Sequence, residues 1–178
     1  MNNFFRAKYG KFVITFTVLI ILAVLGFLIF TLIYPFQDLK TRLVILGIAV
    51  FISLCLIYLF FLSPKGYRLE ESSLELVRRA GKEGIPYRDI EKVYKIPGRA
   101  LFLTLRITGS RGFFGFVGSV KTRGEKETYF FAASSELVAV ETPSKIYVIS
   151  PENREKFIKE LKRKLKGSAE QNLAKEKP

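Results

Sequence analysis

The sequence contains no histidine and a single cysteine, Cys55. A cysteine–histidine zinc site, a Ser-His-Asp triad and a Cys-His nucleophile pair are therefore excluded. No disulfide can form within one chain. No stretch matches a Walker phosphate loop, an EF-hand or a dinucleotide-binding fingerprint. Asp and Glu can act as acid–base groups without His, but no pair of them stands out. The expectation is a chain with no enzymatic activity, no cofactor and no metal.

Charge is missing from two long runs. Phe12 to Tyr34 is 23 residues and Leu43 to Ser63 is 21, neither with a charged side chain. A helix needs about 20 residues to cross a hydrocarbon core about 30 Å thick. Both runs satisfy this, and soluble core helices rarely run so long without a polar stripe. The runs contain no acidic, basic or histidine side chain, which argues against transport by this chain alone. Cys55 sits mid-span, too deep for juxtamembrane palmitoylation, and reads as packing. Gly26, Gly47, Ala49 and Ser53 read as ordinary membrane filler; Ala49 and Ser53 make only a weak small-residue face.

Only Pro35 to Arg42 separates the two runs, so they form an antiparallel hairpin with both ends on one side. Arg6, Lys8 and Lys11 precede it; Lys65, Arg68, Arg78, Arg79 and Lys82 follow within about 20 residues, while the loop carries Lys40 and Arg42. Eight basic residues against two place both ends in the cytoplasm, with the protein in the cell membrane. A cleaved signal peptide is the competing reading of the first run, but an apolar signal core is about 7 to 15 residues, and no small-x-small site follows.

Residues 64–178 hold 24 Lys and Arg against 15 Asp and Glu, a net of +9; the first 63 residues add +4. Such a domain is drawn to anionic lipid at about 1 kcal/mol per basic residue near the surface. Nucleic acid would attract it too. The chain has no DNA-reading pattern, and the membrane is adjacent, so lipid ranks above nucleic acid.

Beyond Ser63 the period is mostly two. Tyr67 and Leu69, then Leu74 and Leu76, alternate around a turn at Glu71 to Ser73. Gly81 to Gly84 reads as a second turn. Ile85 to Tyr87, Asp89 to Ile96, Leu101 to Ile107, Glu127 to Ala133, Leu137 to Thr142 and Lys145 to Ser150 follow as extended segments. About seven strands at this spacing predict a small barrel or sandwich. The period then changes. Ser150 is placed to cap a helix, with Pro151 first and Glu152 in the opening turn. Phe157, Ile158, Leu161 and Leu165 form one apolar stripe, and Gly167 is expected to stop the helix. Ser168 to Pro178 then reads as a disordered tail. The predicted organisation is a basic cytoplasmic N-terminus over 1–11, a hairpin over 12–63 with spans at 12–34 and 43–63, a domain over 64–166 and a tail over 167–178.

The segments YRLEESSLELVRRAGKEGIPYRDIEKV, GFFGFVGSV, LVAVET and KIYVISPENREKFIKEL resemble a bacterial PH-like family over roughly Gly66 to Lys166. The resemblance implies an all-β pleckstrin-homology-like barrel capped by one C-terminal α-helix. It implies no catalysis and carries over no lipid-binding motif.

Arg78, Arg79 and Lys82, with Arg111, Lys121 and Arg123, are the candidate contacts for anionic lipid or a partner, set against plain solvated loop charge. The glycine-rich Gly109 to Gly118 has two readings. Phe113, Phe114 and Phe116 fill the barrel, which is preferred, or they dip into the bilayer interface with Arg111. The basic helix is read as a barrel cap before a surface helix. The expected function is a membrane-anchored interaction or scaffold protein whose barrel binds a protein partner, itself or anionic lipid. The alternative is an accessory subunit of a membrane transporter or membrane enzyme, with the chemistry in the partner.

Overall fold

The structure is a computed structural model that describes residues 3–34, 38–97, 108–111, 114–121 and 126–175. The alternating segment Leu101 to Ile107 and the residues Phe113 and Arg123 lie outside them.

Two helices, α1 (Lys11–Ile33) and α2 (Leu39–Leu62), pack against each other. Both are long and apolar enough to cross a membrane. Apolar residues cover every side: Leu32 is 64% and Phe51 67% exposed, whereas a soluble core helix would bury such side chains. The second helix starts four residues before the expected span. Asp38 caps it, accepting from the backbone N–H of Lys40 and Thr41, so Lys40 and Arg42 lie in its first turns.

Ten strands occur among the described residues: β1 (Phe4–Arg6), β2 (Pro64–Leu69), β3 (Ser73–Arg78), β4 (Lys82–Pro86), β5 (Lys92–Ile96), β6 (Thr108–Arg111), β7 (Phe116–Val120), β8 (Glu127–Ala132), β9 (Leu137–Glu141) and β10 (Lys145–Ile149). They form two sheets, ordered β1-β2-β3-β4 and β5-β9-β10-β8-β7-β6. The sheets face each other as a PH-like sandwich and are not closed into one continuous barrel. The β3–β4 turn sits at Arg79 to Gly81, where Gly81 takes a left-handed φ of +102°, so Lys82 to Gly84 belong to β4.

Three features depart from the expected organisation. The N-terminal segment is part of the domain: β1 pairs antiparallel with β2, which lies on the far side of the helix pair in sequence. Phe5 is buried, and its ring meets Phe157 edge-on at 5.2 Å. Secondly, β8 and β10 are parallel, and residues 133–144, including β9, form the crossover between them. The third concerns helix α3 (Arg154–Lys175), whose cap is Asn153, with Oδ1 accepting from Lys156 N–H at 3.0 Å. The Ser150 hydroxyl instead accepts from Ala133 N–H at 2.8 Å, and Pro151 bridges to Ala7. Nor does Gly167 stop the helix or open a disordered tail; α3 runs through it to Lys175. One interior glycine costs only about 1 kcal/mol relative to alanine.

Strand alternation gives the six-stranded sheet two buried faces. Phe131, Val138, Val140 and Ile149 face the four-stranded sheet and α3, meeting Tyr67, Leu74, Leu76, Phe157 and Leu161. Phe130, Ala132, Leu137 and Val148 point the other way and meet Val13 in the first turn of α1.

Candidate membrane-facing surface

Both helices enter the domain without a linker. Gly10 immediately precedes α1, and its N–H donates to Ala133 O at 2.7 Å. A side chain there would press on the Ser134 backbone, 3.3 Å from a built Cβ. Ser63 ends α2, and β2 starts at the next residue. Lengthwise, β1 and β2 are tied by Ala7 N–H to Lys65 O at 3.2 Å and Leu69 N–H to Asn3 O at 2.9 Å. Gly66 makes this pairing feasible, since a Cβ there would lie 2.5 Å from Phe5 O. The Tyr9 hydroxyl donates to Pro64 O at 2.7 Å.

The C-terminal end of α2 is closed by the β3–β4 turn. Ala80 N–H donates to Phe61 O at 3.1 Å, and Arg79 Nε to Ser63 Oγ at 3.0 Å. The Arg79 guanidinium lies 4.2 Å from the Phe60 ring centroid. A cation is favoured here by the negative end of the helix dipole and by the ring face. Phe114, two residues before β7, lies alongside both helices. Phe114 N–H donates to Thr17 Oγ1 at 3.1 Å, and its ring meets Phe60 at 5.0 Å. In the glycine-rich stretch Phe116 is core, as the preferred reading has it, while Phe114 packs on the helix pair, a place neither reading gave it.

These contacts gather one end of the sandwich around the helix roots. Arg6, Lys11, Lys65 and Arg79 are exposed there. Sequence reasoning missed Arg6, Lys11 and Lys65 as surface candidates, although their places beside the apolar runs were the signal.

A family model described as Bacterial PH domain matches residues 65–165. This chain belongs to the bacterial PH domain family. Searches of the curated proteins and of the solved structures found no match. The matched region omits β1, so this bacterial PH domain draws one strand of its sheet from outside it, across the helix pair.

The six residues singled out from sequence fall in different places on the domain. Arg79 sits at the helix roots, as does the backbone of Arg111, opposite Phe116. Arg78 turns inward, where its guanidinium pairs with Glu83 at 3.0 Å, bonds the Tyr129 hydroxyl and lies 5.7 Å from the Phe131 ring centroid. Burial pushes the phenols of Tyr129 and Tyr147 upward, keeping both protonated. Lys82 pairs with Glu75. Lys121 follows the opposite end of β7, five residues beyond Phe116 and so about 16 Å further along the strand. Arg123 is outside the described residues. No group of three or more Cys, Asp or Glu side chains among the described residues is arranged to hold a metal ion.

Lys8 adds an ion pair to the N-terminal segment, reaching Glu136 at 2.5 Å. The hydrogen bond from Lys8 holds the Glu136 carboxyl below its ordinary value of 4.5. A depressed carboxyl stabilises the fold fully above its unfolded value and loses that contribution as pH falls through the folded one. Hydrogen exchange at Phe5, Ala7 and Gly10, corrected for intrinsic rates, is expected to accelerate between about pH 6 and about pH 3. Glu136→Gln should flatten that acid dependence; an unchanged profile would remove the ion pair from the account.

Proposed function

We propose that this protein is an integral, non-catalytic membrane module. Both chain ends lie in the cytoplasm, and the PH-like domain is pressed against the anionic inner leaflet as an interaction platform. One observation carries the reading: the chain leaves the domain through β1 and returns through the neighbouring strand β2, with Ala7, Lys8 and Gly10 bonded to the domain up to the start of α1 and only Ser63 between α2 and β2. The two ends of the helix pair therefore share one side, and the eight-to-two basic bias assigns that side to the cytoplasm. Arg6, Lys11 and Lys65 ring the helix roots, where each adds about 1 kcal/mol of attraction to anionic lipid. Cleavage after α1 would also remove Phe5 from the core, which speaks for an uncleaved first span.

The test uses full-length protein in nanodiscs of phosphatidylglycerol or phosphatidylcholine. Hydrogen exchange at Ser63 to Gly66 and Arg79 to Gly81 is expected to be slower in phosphatidylglycerol. Replacing Arg6, Lys11 and Lys65 together by Gln should erase the difference at Ser63 to Gly66. Equal exchange in the two lipids for the unaltered protein would refute the leaflet contact.

A further inference from the structure

The two helices do not pack flush. A cleft of about 310 Å³ opens between them, with Leu25 and Leu28 on one wall and Ser53, Ile57 and Phe60 on the other; Phe114 closes its domain-side end. The lining is apolar except for Ser53, whose hydroxyl is already donated to Ala49 O at 2.8 Å. Nothing in it calls for water, so an apolar occupant is favoured.

The domain-side end of the cleft has a different chemistry. Phe60 lines it and also carries the Arg79 guanidinium on its ring face, 4.2 Å from the centroid. Only Arg79 Nε is engaged, with Ser63. The four N–H groups on its two terminal nitrogens have no protein partner among the described residues. Phe114 holds a left-handed φ of +55°, uncommon for a residue with a bulky side chain, while its ring closes this end. Strain of that kind persists where the surrounding structure demands the position.

We propose that the cleft holds one acyl chain of an anionic phospholipid from the surrounding leaflet, with its phosphate on Arg79. This rests on the membrane reading above and adds a single defined lipid site to it. An apolar slot ending at an unpaired cation matches an amphiphile in polarity, order and sign. A partner helix about 10 Å across, continuing out of the bilayer along the cleft, would meet Phe114 and the Arg79 turn. A lipid chain ends at that level in its headgroup.

Full-length protein is reconstituted in nanodiscs of equal phosphatidylglycerol and phosphatidylcholine, extracted in mild detergent and weighed by native mass spectrometry. One phosphatidylglycerol per chain is expected to remain bound. Arg79→Gln should lower the preference for it about fivefold, the worth of one basic residue at an anionic surface. Ser53→Phe, which fills the cleft, should abolish retention; Leu28→Trp does the same from the other wall if the first variant fails to assemble. Replacing Arg6, Lys11 and Lys65 together by Gln should leave the retained lipid in place. Retention unchanged by the filling variants would overturn the proposal, as would recovery of a lipid-free dimer, which assigns the cleft to a second copy. Loss in the triple variant alone would reduce the effect to general surface attraction. Release of the chain from membranes by alkaline carbonate would instead refute the membrane reading itself.

Discussion

Replacing Phe5 by Ala is expected to destabilise the domain by about 3–5 kcal/mol, the usual range for a buried phenylalanine. The magnitude follows from its position. Phe5 is only 9% exposed and meets Phe157, a fully buried residue of α3. Removing the ring leaves a cavity between β1, the four-stranded sheet and the helix, and rigid strands cannot collapse into it. A soluble fusion gives a clean measurement. Asn3 to Gly10 is joined through about eight Gly and Ser residues, a reach of roughly 16 Å, to residues 64–178. Urea unfolding of this fusion should be cooperative, and Phe5→Ala should shift it by the stated amount. A fragment starting at Pro64, without β1, should be less stable than the fusion by at least as much. A loss below about 1 kcal/mol in both cases, within the ordinary scatter of surface substitutions, would mean that β1 is an accessory to the sheet rather than part of it.

Tyr67→Phe is expected to have a comparable effect through hydrogen bonding. The Tyr67 side chain is fully buried, and its hydroxyl joins three segments. It donates to Phe131 O at 2.8 Å in β8 and accepts from Ser150 N–H at 2.9 Å beyond β10. Burial drives the phenol far above its ordinary value of 10, so the hydroxyl remains a donor at neutral pH. Phenylalanine fills the same volume and leaves both backbone groups unsatisfied, at about 1–3 kcal/mol for each. The total, about 2–6 kcal/mol, is readable in the same urea titration. Because Ser150 also receives Ala133 N–H and offers its carbonyl to Lys8 N–H, the Lys8 and Ala133 amides should lose exchange protection together. Protection lost at Ser150 alone would contradict a shared network.

The apolar helices, the alternating strands and the stripe of α3 were legible in the sequence because each signal is local. Uninterrupted hydrophobicity, a two-residue period and a change of period need no knowledge of distant residues. What was not legible depends on partners far along the chain. Phe5, Ala7 and Tyr9 do alternate with Arg6 and Lys8, but a three-residue strand gains meaning only beside β2, about 60 residues later. The parallel pairing of β8 with β10 was hidden because consecutive short strands read as hairpins. Ser150 and Pro151 satisfy the rules for a helix start, yet the demand of Ala133 N–H for the hydroxyl moved the cap to Asn153. Arg78 and Arg79 looked equivalent as adjacent charges. Strand parity separates them: Leu74 and Leu76 face the core, so Arg78 follows them inward, while Arg79 enters the turn and reaches the end of α2. That distinction was available from the alternation, had it been carried one step past Val77.

The central claim is that, in the membrane, the segment before α1 and the strand after α2 lie side by side in one sheet. Phe4 and Arg68 are directly opposed there, flanked by the hydrogen-bonded pairs on either side, the arrangement that brings Cα atoms to about 4.5 Å. That spacing suits a disulfide. In a Cys55→Ala background, Phe4→Cys and Arg68→Cys are introduced together, and isolated membranes are oxidised without detergent. The account predicts rapid formation of an intrachain disulfide, identified by peptide mass spectrometry, and none when Arg88→Cys replaces Arg68→Cys. Failure of the first pair to close, or its closure only between separate chains, would contradict it.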